Sequence, residues 1–240
     1  MNFNEWKNKE PINITINGNS YQINHADNVF IKDGIVCKTQ WNSQKIRPLF
    51  LLKEAYHKEN VPFWNLIDDH LLRKDNTTST LWKRVSEWAY AIMNTTEYSI
   101  AEYDPKLWYE KLNFNYYGNE YLNKIAVMNI KKSNGKEISD MNEIQAYAEY
   151  DKKELKQQIE EINPTIIICG YTFQYLELIL GKNIKKENYN ENWFYFHTLD
   201  NGQEVLIIDY YHPANQYPKL LNYYGIANIY QQSLIARKSK

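Results

Sequence analysis

The sequence predicts an α/β fold: three layers, α/β/α, around a central four-stranded, mainly parallel sheet, preceded by an N-terminal β-hairpin. Three observations predict it. Four short, unbroken apolar runs recur at wide intervals, PLFLL (48–52), IAVMNI (125–130), TIIIC (165–169) and VLIID (205–209), and runs of this length fit strands covered on both faces. Helix-period segments lie between them. Strands alternating with helices imply parallel pairing with helices on both sides of the sheet.

The elements follow in order. Ile12, Ile14 and Ile16 alternate, Asn17-Gly18 supplies a turn, and Tyr21 and Ile23 alternate again, which is a hairpin signal. Helices are expected over WNLIDDHLLRK (64–74) and TLWKRVSEWAYAIMN (80–94), and over 141–162, where Asp140 and Glu143 stand at capping-box spacing and Asn163-Pro164 makes the stop. TFQYLELIL (172–180) ends at Gly181, and a last helix covers much of 217–236, interrupted near Gly225. The chain reads as one domain over 1–240, with 1–46 as an N-terminal extension.

Bulk properties exclude several classes. With 240 residues, 43% hydrophobic, the chain can bury a sizeable core. It has no run of about 18 apolar residues to span a bilayer, and its polar start, MNFNEWKNKE, has no apolar signal segment. The two cysteines, Cys37 and Cys169, are too few for a four-thiolate metal or iron–sulfur site and read as buried thiols of a cytoplasmic protein. A net charge of −1 gives no global pull on nucleic acid, so any such contact falls to local groups. Asp69-His70 looks like a metal pair, but helical neighbours diverge and no further ligand accompanies them. No phosphate-loop, nucleophile-elbow or zinc-protease pattern is present, and no cofactor is expected.

In parallel sheets ligands sit at the carboxyl ends of the strands. Lys53, Glu54, Ala55, Tyr56 and His57 follow the first run; Asn129, Lys131 and Lys132 close the second; Gly170 and Tyr171 follow the third; Asp209, Tyr210, Tyr211, His212 and Pro213 follow the fourth. A carboxylate, an amide and an imidazole at one edge suit cleavage of an N-glycosidic bond. The carboxylate faces an oxocarbenium-like sugar or orients water, the imidazole donates to the departing base, and the amide pairs with a pyrimidine edge.

The order of these pieces resembles the uracil-DNA glycosylase superfamily, as a divergent bacterial branch of it. RPLFLLKEAYH stands where that family has a motif of the form G-E-A-P-G or G-Q-D-P-Y; AVMNIKKSNG offers its base-reading Asn; INPTIIICGYTFQYL matches its third strand and helix; His212-Pro213-Ala214 takes the place of its H-P-S motif. The likeness covers the chain from about Arg47 onward. It implies a monofunctional DNA glycosylase, cytoplasmic and monomeric, that acts on a base flipped out of single- or double-stranded DNA. By the same likeness Glu54, His212 and His57 are catalytic; Asn129, Tyr56, Phe63 and Trp64 bind the base; and Lys131, Lys132 and the loop Ala214, Asn215, Gln216 and Tyr217 contact DNA. Where the family's motif has Pro and then Gly or Tyr, this chain has Tyr56 and His57, which shifts the expected substrate from plain uracil toward a pyrimidine substituted at position 5. Phage DNA contains such bases, which would make antiviral defence a setting for the enzyme. Two other readings stay open: a non-catalytic DNA-binding relative, and a hydrolase of free nucleosides or nucleotides.

Overall fold

The computed structural model describes residues 1–57, 61–72, 79–108, 118–184 and 193–238. The four apolar runs become β5 (Pro48–Glu54), β7 (Ala126–Lys131), β8 (Ile166–Gly170) and β10 (Glu204–Tyr210). They lie side by side in the order β7-β5-β8-β10, all parallel, with Leu49 opposite both Ala126 and Ile167 and Leu206 opposite Ile166. The sheet has six strands rather than four. β4 (Gly34–Ile35) pairs antiparallel with β7 at one edge, and β9 (Phe194–Thr198) pairs antiparallel with β10 at the other.

Side chains alternate between two cores. Phe50, Leu52, Ile168 and Ile208 pack against α3 (Thr80–Asn94), α4 (Gly118–Leu122) and α8 (Lys219–Lys238). Leu49, Leu51, Ile167 and Ile207 pack against α5 (Met141–Tyr150), α6 (Lys152–Ile162) and α7 (Phe173–Leu180). Both faces are therefore covered, which is why these strands read as unbroken apolar runs. Among the described residues no helix is long and apolar enough to cross a membrane.

Several elements differ from expectation for identifiable reasons. The first 46 residues are not an appendage. A hairpin of β1 (Ile12–Ile16) and β2 (Asn19–Ile23) leads into β3 (Phe30–Lys32), and Trp6 of α1 (Phe3–Lys7) and Trp41 of α2 (Lys38–Ser43) enter the core beside Phe30. Cys37 is only partly buried, whereas Cys169 is fully buried. The helix expected over 64–74 gives way to β6 (Phe63–Asn65), paired in parallel with β3, and a π-helical turn, Ile67–Leu71; residues 73 and 74 lie outside the described residues. Asn65 makes the break, because its side-chain oxygen accepts from the amides of Ile67 and Asp68. The helix expected over 141–162 divides at Asp151, whose carboxylate turns inward to His25 Nε2 at 2.9 Å and Lys9 Nζ at 3.0 Å. Asp140 caps α5, accepting from the amides of Asn142 and Glu143. The last helix runs unbroken through Gly225, where a Cβ would collide with the Tyr210 hydroxyl. Glycine there permits close helix–sheet approach and does not interrupt the helix.

Candidate active site

The four parallel strands end at one edge, and β5 lies between β7 and β8. Chain order thus reverses between β5 and β8, the position where parallel sheets open a ligand crevice. Lys53 borders it from β5 and Tyr171 from β8, with Lys53 Nζ 6.0 Å from the centroid of the Tyr171 ring, while Glu54 ends β5 turned toward Lys131 of β7. His212 stands two residues beyond β10.

The turn at His212 is built tightly. Pro213 packs over the end of β8, so that a Cβ on Gly170 would lie 3.2 Å from Pro213 Cδ and 3.0 Å from Leu52 Cδ2. The Asn215 amide hydrogen-bonds back to the His212 carbonyl from its backbone (3.0 Å) and from Nδ2 (2.8 Å). Asn222 Nδ2 donates to Asn215 Oδ1, and Arg84 donates to the Asn215 carbonyl from α3. His212 Nδ1 accepts from the Ala214 amide at 3.2 Å. In the neutral ring, this acceptor role puts the proton on Nε2. Burial, with the nearby charge of Lys53 as a lesser cause, pushes the imidazole down to about 4.

Glu54 is nearly sealed, its side chain 4% exposed, with Oε2 3.2 Å from Lys131 Nζ. Gly135 lies against it so closely that a Cβ would stand 2.9 Å from Glu54 Cγ. Lys131 also reaches Glu143 at 2.9 Å. Asn129 is buried two residues inside the end of β7. Its backbone amide and Nδ2 both donate to Asp33 Oδ2, at 2.8 and 3.1 Å, while Oδ1 has no partner. Asp33 Oδ1 in turn accepts from Lys132 at 2.5 Å and Gln158 at 3.0 Å. No hydrogen bond joins Glu54, Asn129 and His212 to one another.

The other expected site residues divide. Tyr56 is open to solvent. His57 is clamped through its backbone by Asn134, which donates to its carbonyl and accepts from its amide, and its ring rests 4.7 Å from Trp64. Phe63 and Trp64 alternate on β6 and part company: Phe63 meets Phe30 edge-on at 5.9 Å, and only Trp64 stays beside the motif. Lys131 and Lys132, expected to contact DNA, are turned inward. Both are buried and committed to Glu54, Glu143 and Asp33, which offset the cost of withdrawing an ammonium from water. In the loop after His212, Ala214, Gln216 and Tyr217 are exposed. Asn215 is half-buried and braces the loop, its amide serving His212, Tyr217 and Asn222.

Four residues at or behind the edge carried no role in the sequence reading. Lys53 is half-buried near His212. Tyr171 is 58% exposed and held at a φ of 61° by its amide, which donates to the carbonyls of Cys169 and Tyr210. Only a strand-end Gly-Tyr pair hinted at it. Trp193, also at positive φ, stacks its edge on Tyr211, which meets Tyr217 at 4.9 Å. Asp33 gives no local signal, because its partners are Asn129, Lys132 and Gln158, far along the chain. Asp69, considered as half of a metal pair, accepts from the Asn65 amide, and among the described residues no group of three His, Cys, Asp or Glu could hold a metal. Compared with protein-family models the chain matches none, and it matches none of the curated proteins either.

Proposed function

We propose that this chain is a DNA glycosylase that hydrolyses the N-glycosidic bond of a flipped-out uracil or 5-modified pyrimidine. The observation that carries this reading is the His212 turn: a neutral imidazole, fixed through Nδ1 by the Ala214 amide, presents Nε2–H at the carboxyl edge of a parallel sheet. As the bond between sugar and base breaks, the base leaves as an anion. A fixed N–H aimed at its oxygen stabilises that anion without reorganising in the transition state. The sugar left behind is cationic, and the charge of Glu54 supports it from the end of β5. Asn129 supplies a buried acceptor, Oδ1, whose orientation Asp33 sets by taking Nδ2. An unpaired buried acceptor costs on the order of 1–3 kcal/mol, which an N–H on a pyrimidine edge offsets. Tyr171 and Tyr217, both at least half exposed, offer stacking surfaces for the strand around the extruded base.

The test is incubation with a panel of DNAs carrying uracil, 5-hydroxymethyl and glucosylated 5-hydroxymethyl pyrimidines, followed by mass analysis of the free bases. Release of a base, fastest from a 5-substituted pyrimidine, is expected. Fastest release of plain uracil would overturn the assignment of Tyr56 and His57 to the position-5 wall; no base from any DNA would overturn the glycosylase reading. One observation favours a second reading, a DNA-binding relative without catalysis: Glu54 is already claimed by Lys131. DNA binding without alkali-labile sites would select it.

A further inference from the structure

The carboxyl edge holds a nucleophilic side chain for which base release has no use, that of Lys53. It is the penultimate residue of β5, at the point where chain order reverses between β5 and β8. Its neighbour Glu54 is not its counter-ion, because Oε2 of Glu54 is directed to Lys131, and Lys131 is shared in turn with Glu143. Lys53 makes no ion pair among the described residues. Its Nζ lies 6.0 Å from the centroid of the exposed Tyr171 ring, and its charge is felt at His212. A lysine partly withdrawn from water and without a counter-ion is in the setting where the amine gives up its proton and becomes a nucleophile. Burial lowers its ammonium from the usual lysine range, opposed by the weaker attraction of Glu54.

We propose that Lys53 gives the protein a second activity, cleavage of the strand at an abasic site through a covalent imine. The inference rests on the glycosylase reading for how an abasic sugar comes to this edge, and it replaces the monofunctional enzyme expected from the sequence. The neutral amine of Lys53 adds to the C1′ aldehyde of the ring-opened sugar. The C1′ oxygen takes one amine proton and one proton from solvent and leaves as water, and a protonated imine, keeping the second amine hydrogen, joins Nζ to C1′. That cation acidifies C2′. Loss of the C2′ proton to solvent moves the C–H electrons into a C1′–C2′ double bond. They then shift to C2′–C3′ as the C3′–O bond breaks, and the 3′-phosphate leaves with the electron pair of that bond. Water hydrolyses the imine, returning an unsaturated aldehyde and free Lys53. No oxidant or reductant takes part.

The experiment uses the full chain and an oligonucleotide with a preformed abasic site, so that base release is not required. With sodium borohydride, which reduces the imine to a stable amine, a covalent protein–DNA adduct is expected, mapping by peptide mass to Lys53. Without borohydride, strand cleavage is expected. Both are lost in Lys53→Ala and in Lys53→Arg; the second keeps the cation and serves if the first fails to fold. An adduct that maps to another amine, or that persists in Lys53→Arg, overturns the proposal. So does wild-type protein that forms no adduct. Base release, measured separately on the modified-DNA panel, keeps the two readings apart. Released base without adduct removes the lyase alone, whereas adduct without released base removes the glycosylase and leaves the lyase.

Discussion

Nδ1 of His212 accepts a hydrogen bond from the backbone amide of Ala214, two residues on, at 3.2 Å. Protonating Nδ1 would set two N–H groups against each other, so the local backbone favours the neutral ring. The burial that pushes this imidazole down to about 4 acts in the same direction. Base release is therefore expected to show no histidine-dependent change between pH 5 and 8, and to fall as pH drops through about 4. His212→Ala is expected to slow release by about a hundredfold, the usual effect of losing one preorganised donor. Single-turnover rates across pH check both. A rate that rises with an apparent pKa near 6.5 would mean the ring is not held neutral.

Glu54→Gln separates charge from shape. The sequence alone suggests an isosteric loss of activity with the fold untouched, but the ion pair with Lys131 adds a stability cost. Lys131 is buried and, among the described residues, keeps Glu143 as its one charged partner in the variant. A loss of about 1–3 kcal/mol is expected, since neither Glu54 oxygen accepts a hydrogen bond and the variant removes only the charge facing Lys131, together with most of the base-release rate. Urea unfolding and product analysis on the same preparation test this. Full activity at reduced stability would make Glu54 purely structural.

How far each feature was legible follows from where its partners lie. β5, β7, β8 and β10 are covered on both faces, so composition alone marked them and placed Glu54 and His212 at their ends. The α5 cap was legible because Asp140 bonds amides two and three residues away. By contrast, the break at Asp151 depends on His25, and β6 depends on a β3 partner far upstream in the chain. Lys131 and Lys132 read as charges for DNA because nothing local reveals that Glu54 and Asp33 come to meet them inside the protein. Elements defined by their own pattern were readable; polar networks assembled by tertiary contact were not.

Asn129→Asp probes one such network. The new carboxylate would face Asp33 Oδ2, which stands 3.1 Å from Nδ2 in the present residue. Two carboxylates at that distance cannot both ionise easily, so one has its folded-state pKa raised. A raised folded pKa gives stability that is complete below the unfolded carboxyl value and lost as pH rises through the folded one. The variant is expected to lose more stability relative to wild type at pH 8 than at pH 5. Equal losses at both pH values, read from thermal melts, would show that Asp33 does not face this position.

Glu87 gives a second pH effect, away from the edge. It lies buried on α3, with Oε1 accepting from the Tyr103 hydroxyl at 2.9 Å, Oε2 without a partner, and Lys219 Nζ at 4.0 Å. Burial raises its carboxyl from 4.5 to about 7, against weaker opposing pulls from Tyr103, Lys219 and Arg84. The raised value makes its contribution complete below 4.5 and lost as pH climbs through 7. His212 acts oppositely: its lowered value gives stability present above 6.5 and lost as pH falls toward 4. Glu87→Gln keeps an acceptor for Tyr103 and removes the ionisation. Its melting temperature relative to wild type is expected to rise from pH 5 to pH 8. A difference that stays constant with pH would show that Glu87 is ionised throughout.

Gly170→Ala tests whether the His212 turn is positioned by the sheet beneath it. A Cβ at this site would stand 3.0 Å from Leu52 Cδ2 and 3.2 Å from Pro213 Cδ, both tighter than ordinary carbon contacts. Leu52 and Pro213 are both buried, so the methyl presses on both, and the Pro213 ring it presses on is joined directly to His212. Moving Pro213 turns the imidazole, and a misplacement of about 1 Å in a catalytic group costs about a hundredfold in rate. The stability cost of a single overpacked methyl is about 1–3 kcal/mol. Gly170→Ala is therefore expected to remain folded and to bind DNA, while base release falls by more than its loss of stability accounts for. Rates at saturating DNA, with a urea melt as control, read the two effects separately. If the variant keeps the wild-type rate, Pro213 accommodates the methyl without moving His212, and Gly170 serves only the packing of β8.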